Sequence, residues 1–202
     1  MNRKHLVYLI LFSFLLSSCV EREDSPNFIF ILVDDQGWNG TSVQMMNSDT
    51  RSKSDYHETP NLEKLASNGI KFSNAYSSAP VCAPSRYSIQ FAKSPARLSL
   101  IRVGMNSDHI DHEGMMSIPK ALKEINPDYV TAHYGKWGIG SSPELVGYDF
   151  SDGPNQNREG GFVNDTSQWN CEVKEDPKHI FNNSEKAVNF LNENSKNPFY
   201  LQ

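Results

Sequence analysis

Residues 28–33 read Phe-Ile-Phe-Ile-Leu-Val, an apolar run with no polar alternation that ends at Asp34-Asp35-Gln36-Gly37. A run this short and this continuous predicts a parallel strand covered on both faces, and so an α/β fold with helices packed on a mainly parallel sheet. The order of later segments agrees. Thr59 as N-cap, Pro60 at the first position, Leu62, Leu65 and Ala66 on one face and Gly69 beyond the end predict a short helix. Ile70 and Phe72 predict a strand running toward Cys82. A helix over Ser117 to Ile125, with Ile118, Ala121, Leu122 and Ile125 on one face, leads into a strand over Tyr129 to His133. A last helix, capped by Asn183 or Ser184 and carrying Ala187, Val188, Phe190 and Leu191, precedes a buried strand opening at Pro198-Phe199-Tyr200-Leu201. Alternating strands and helices favour right-handed crossovers in one sheet.

Two carboxylates at the carboxyl end of a strand sit where open α/β sheets place their ligands. Bringing Asp34 and Asp35 together is unfavourable unless a cation neutralises them. Hard oxygen donors suit Ca²⁺, which accepts variable geometry, or Mg²⁺. The second chemical feature is Pro80-Val81-Cys82-Ala83-Pro84-Ser85-Arg86. Pro84 suits a first helical turn, where its missing N–H costs nothing. Cys82 is thus placed at a loop-to-helix junction, the helix N-terminus faces any anion bound beside it, and Arg86 adds a permanently charged fork.

Cys82-Ala83-Pro84-Ser85-Arg86 resembles the signature of the type I sulfatases. The flanks extend the resemblance: Asn27 to Asp35 is similar to the family's first strand with its paired aspartates, Thr59 to Gly69 to the helix that follows, and Gly135-Lys136-Trp137 to the second signature. The resemblance implies an alkaline-phosphatase-like fold and hydrolysis of a sulfated carbohydrate or aryl sulfate. It implies that a maturation enzyme oxidises Cys82 to formylglycine, the nucleophile, that Arg86 and Lys136 stabilise charge on the sulfuryl oxygens, and that Asp34, Asp35 and position 82 lie around a bound Ca²⁺. This chain departs from the pattern twice. Phe91-Ala92 stands where the family has a Thr-Gly pair, and Gly138 stands where many members carry a histidine, leaving His133, His109 and His112 as candidates to assist the nucleophile or leaving group. Family members are longer, with further metal ligands, a histidine and a lysine beyond the equivalent of Gln202, so residues 27–202 are read as the N-terminal portion of a catalytic domain.

Arg3, Lys4 and His5 precede an apolar run from Leu6 to Leu16, a pattern too short to span a bilayer and typical of an export signal. Leu16-Ser17-Ser18-Cys19 resembles a bacterial lipobox, which implies a signal peptide over residues 1–19, membrane attachment through lipid on Cys19 and a tether over residues 20–26. With Cys19 and Cys82 so used, only Cys171 remains, and an exported chain of this kind has no disulfide framework. The sequons at Asn39, Asn164 and Asn182 would matter only in a eukaryotic secretory pathway. A net charge of −5 argues against a nucleic-acid partner. The Gly- and Asn-rich stretch from Gly140 to Asp176, with Tyr148, Phe150, Phe162 and Trp169, reads as a long loop that could meet a substrate.

Two other functions share these features: a phosphonate or phosphodiester hydrolase on the same scaffold, and a non-catalytic lipoprotein that binds sulfated glycan. Peptide mass spectrometry on protein from the native host should find an aldehyde at position 82; unmodified thiol alone would remove the formylglycine nucleophile.

Overall fold

The computed structural model describes residues 25–102, 104–155 and 175–202. The segments expected to be a signal peptide and most of the tether, with Cys19, Asn164, Phe162, Trp169 and Cys171, lie outside the described residues. None of the described helices is long and apolar enough to cross a membrane.

Among the described residues four parallel strands make one sheet: β1 (Phe28–Ile29), β2 (Val130–His133), β3 (Phe150–Ser151) and β4 (Phe199–Leu201), in the spatial order β1-β4-β2-β3. Thr131 pairs with Tyr200, and Ala132 with both Leu201 and Phe150. The helices are α1 (Pro60–Ser67), α2 (Cys82–Phe91), α3 (Ile118–Ile125), α4 (Pro143–Val146) and α5 (Ile180–Asn194).

Side chains alternate across a strand with a period of two, and the sheet uses both faces. Tyr200 joins Tyr87, Phe91, Trp137, Val146 and Tyr148 in a core on the α2 side. Its neighbours Phe199 and Leu201, with Ala132, pack on Phe190 of α5 on the other side. The result is the three-layered α/β arrangement that the unalternating strands predict. A polar cluster ties α2 to the sheet: Gln90 Nε2 donates to Gln202 Oε1 at 2.7 Å, and the buried Tyr148 hydroxyl lies 3.0 Å from Gln90 Oε1 and 2.8 Å from Gln202 Oε1.

Several local expectations hold and others need correction. Ser117 caps α3 through Lys120 N and also donates to Val146 O at 2.5 Å, but Ile125 at its end is 80% exposed rather than part of the apolar face. Thr59 precedes α1 without capping it, because its Oγ1 is engaged with Ser42 N at 3.0 Å and so anchors the preceding loop. Leu62 and Leu65 are exposed, since no described element covers α1. Residues 70–72 form no strand, there being no neighbour to supply a ladder. The first strand is shorter than its apolar run: Phe30 N still donates to Leu201 O at 2.7 Å, yet β1 is an edge with uncovered faces, and Ile31 is 75% exposed. α5 starts at Ile180, ahead of Asn183 and Ser184, because the Asp176 carboxylate accepts from Phe181 N and Asn182 N at 2.8 and 3.1 Å. The stretch from Gly140 contains α4 and β3, which its loop-like composition conceals.

β3 is held to β2 partly by one side chain. Asp149 Oδ2 accepts from Thr131 N at 2.9 Å and from Thr131 Oγ1 at 3.0 Å, while Oδ1 meets Lys123 Nζ at 2.6 Å. Thr131 is wholly buried. Asp149→Ala strands that amide in the core and should lower stability by about 2 kcal/mol, with Asp149→Asn losing less, as read by urea unfolding.

Candidate active site

Three segments converge at the carboxyl ends of β1 and β2. Val81, extended at φ −142° and ψ 154°, delivers the chain into α2, and Cys82 is the first helical residue, a partly exposed free thiol. Pro84 falls within that first turn, as its missing donor requires. Ser85 fastens the loop before the helix: its Oγ donates to Ala79 O at 2.8 Å and lies 2.9 Å from Ser77 Oγ. That role is invisible in the sequence, where Ser85 is only a motif letter. At the far end of α2, Ala92 takes the left-handed conformation (φ 51°) in the stretch where the resemblance has a Thr-Gly pair.

One turn along α2, Arg86 is 94% buried, at 6% exposure. Its Nη1 donates to the Lys136 carbonyl, and Nη2 donates to Asp34 Oδ1 at 3.3 Å. Lys136 Nζ donates to the other Asp34 oxygen. The turn after β2 directs that lysine: Trp137, 1% exposed, anchors in the core, its backbone N–H donates to Asn155 O at 2.8 Å and its indole N–H to Ser141 O. With Trp137 fixed inward, Lys136 faces the opposite way. Gly135 (φ 94°) and Gly138 (φ 69°) supply backbone angles that side chains disfavour. At Gly138 a Cβ would also lie 2.9 Å from Arg86 Cδ, so glycine there makes room for the guanidinium.

Burial alone would raise the Asp34 carboxyl, but the hydrogen bond and charge of Lys136, then those of Arg86, hold it below its ordinary value. Asp34 and Arg86 stand between two adjoining cavities. One, of about 300 Å³, is lined by Cys82, Asp35, Gln36 and Ser85; the other, of about 490 Å³, by Lys136, His133 and Gln202. The residues singled out in the sequence, Asp34, Asp35, Cys82, Arg86 and Lys136, are therefore all brought together. Of the three histidines, His109 is bound to Leu98 O at 2.8 Å and His112 to the Tyr87 hydroxyl at 2.9 Å. Only His133 lines the cavity with Lys136.

Asp35, exposed and left-handed at φ 58°, adds a second carboxylate on the Cys82 side. Among the described residues no three His, Cys, Asp or Glu side chains form a metal-holding group. The donors present are hard oxygens, which fit a divalent cation in kind and could supply two of its ligands. The charges fit as well: two carboxylates balance Arg86 and Lys136, so a bound dication would leave the site positive enough to hold a sulfuryl anion.

His133 is 2% exposed and its imidazole is held down to about 4 from 6.5, first by burial and then by the Arg86 charge. The unfolded chain takes up this proton below pH 6.5 and the folded one does not. Stability contributed here is complete above pH 6.5 and lost as pH falls toward 4, by on the order of 3 kcal/mol. His133→Leu should flatten the fall in urea-unfolding stability across that window; an unchanged slope would show that His133 does not cause it.

Comparisons with known proteins agree on a family. The sequence model of the Sulfatase family matches residues 26–202. The chain is 30% identical over 199 residues to the N-acetylglucosamine-6-O-sulfatase of Bacteroides thetaiotaomicron, covering 92% of this chain and 32% of that protein. It is 30% identical over 131 residues to the human N-acetylgalactosamine-6-sulfatase, covering 59% of this chain and 23% of that one. The crystal structure of Ps i-CgsB superposes with a TM-score of 0.64 at 26% identity, over 88% of this chain and 44% of its own. The chain thus spans about a quarter to a third of these curated relatives. Its matched span contains the cysteine helix, the aspartate pair and the lysine turn together, and on that basis the chain belongs to the sulfatase family.

Proposed function

We propose that the protein to which this chain belongs hydrolyses sulfate esters of carbohydrates. The observation that carries this reading is the gathering of Cys82, Arg86, Lys136, Asp34 and Asp35 around two cavities that share Asp34 and Arg86. The named activities of the two relatives point to a 6-O-sulfated N-acetylhexosamine as the substrate class.

Arg86 and Lys136 bind and orient the sulfuryl oxygens, and their fixed positive charge favours the extra negative charge of the transition state. Burial of the guanidinium keeps water from screening it. Asp34 orients both cations before substrate arrives, since each is bound to a different carboxylate oxygen. Cys82, converted to formylglycine by a maturation enzyme, would supply a hydrated aldehyde as nucleophile at the helix N-terminus. Asp34 and Asp35 would hold a divalent cation, Ca²⁺ in preference to Mg²⁺, whose charge adds to that of Arg86 and Lys136. Ser85 fixes the loop that aims position 82. The lipobox-like Leu16-Ser17-Ser18-Cys19 supports export and anchoring through Cys19, which would place the enzyme where extracellular glycans reach it.

The test is sulfate release by the full-length protein from 6-sulfated N-acetylglucosamine, 6-sulfated N-acetylgalactosamine and an aryl sulfate, with an aryl phosphonate in parallel. Cys82→Ala should lower turnover by a factor on the order of 10⁵ while sulfated substrate still binds. Retained turnover would remove Cys82 as nucleophile, preference for the phosphonate would reassign the reaction, and binding without release by the wild type would leave a glycan-binding protein.

A further inference from the structure

Arg86 presents five N–H donors on a rigid fork. Nη1 and Nη2 have acceptors in the Lys136 carbonyl and Asp34, but Nε is buried with none. His133 has the matching deficiency. Its side chain is almost wholly enclosed, and Nδ1 is buried without a partner. Arg86 and His133 line the same cavity as Asp34 and Lys136, and the Arg86 charge acts on the imidazole.

Buried polar atoms are nearly always paired, because leaving one unmatched forfeits its hydration with nothing in return. Arg86 Nε can only donate. Nδ1 of a neutral imidazole accepts in one of its two tautomers. The surroundings restrict both groups: the His133 ring is held edge-on by Trp137 at 4.7 Å and Tyr148 at 5.6 Å, and Arg86 Cδ runs where a Cβ on residue 138 would stand.

We propose that His133 is a positioning residue for Arg86, its unprotonated Nδ1 accepting from Arg86 Nε–H and Nε2 carrying the imidazole hydrogen. That one hydrogen bond would satisfy both orphaned atoms. The guanidinium is then held on three sides, by Asp34, by the Lys136 carbonyl and by His133, with its plane fixed before an anion arrives. The consequence for sulfate rests on the reading that Arg86 binds the sulfuryl group; the pairing itself does not. It also gives His133 a role other than that of the histidine missing at Gly138, since it acts on the arginine and not on the leaving group.

The experiment titrates inorganic sulfate calorimetrically into the full-length wild type, His133→Leu and His133→Asn, and records the imidazole nitrogens of the wild type by ¹⁵N NMR. Loss of a hydrogen bond that orients a charged donor should weaken sulfate binding about tenfold in His133→Leu. Asn Oδ1 stands near the Nδ1 position, so His133→Asn should recover most of that loss, which a merely space-filling role would not allow. The wild type should show Nδ1 unprotonated and hydrogen-bonded. Wild-type affinity in His133→Leu, no recovery in His133→Asn, or a protonated Nδ1 would each overturn the proposal. If His133→Leu fails to fold, His133→Asn and the wild-type spectrum decide. A wild type that binds no sulfate while Nδ1 is an acceptor would refute the sulfate reading and leave the Arg86–His133 pair standing.

Discussion

The carboxylate of Asp34 is the point on which the site depends. It joins three segments distant in sequence: the end of the first apolar run, the helix headed by Cys82 and the turn after β2. Arg86 is nearly enclosed, with 7% of its side chain exposed, and Lys136 keeps only 19%. Two cations so confined repel each other, and one carboxylate with an oxygen for each is what makes their proximity tolerable. Taking away that carboxylate would leave both charges poorly solvated, whereas adding an anion of three or four oxygens would satisfy them further. The arrangement is accordingly suited to an anion with several oxygens.

Precision at this point comes from the packing behind it. α2 cannot slide along the sheet because Gln90 near its end is locked to Gln202 and Tyr148, and because Tyr87 and Phe91 lie in the core. Cys82, at the other end of the same helix, inherits that rigidity. The turn after β2 works similarly: Trp137 is sunk among Tyr148 and His133, and adjacent side chains in an extended turn point to opposite sides, so Lys136 is driven toward Asp34. Glycine at 138 then leaves the path of Arg86 open. Aromatic packing on one side of the turn thus sets electrostatics on the other.

Much of this is legible in the chain itself. Unalternating apolar runs announce a parallel sheet, the spacing of Ile118, Ala121 and Leu122 announces α3, and the cysteine motif places its residue at a helix start, all of which depend on neighbours a few residues apart. Elements whose form depends on remote partners are less legible. Among the described residues Ile70 and Phe72 have strand-like composition but no strand beside them, β1 is shorter than its apolar run because β4 alone pairs with it, and the start of α5 is decided by Asp176 across an irregular turn. Short α4 and β3 hide within a glycine-rich stretch because Asp149, a polar residue, does part of the work of binding β3 to β2.

The same division applies to the site. Sequence alone determined which residue types were available: a cysteine at a helix start, an arginine one turn on, paired aspartates at a strand end and a lysine between glycines, since each motif is local and its chemistry travels with it. Tertiary structure alone decided that Asp34 faces both cations, that Ser85 clamps the loop before Cys82, and that of the three candidate histidines only His133 reaches the cavity. Those facts depend on how segments up to about a hundred residues apart meet across the sheet (Asp34 and Lys136 are separated by 102 positions). Side-chain direction at such meetings is set by strand register and core packing, which no local pattern encodes.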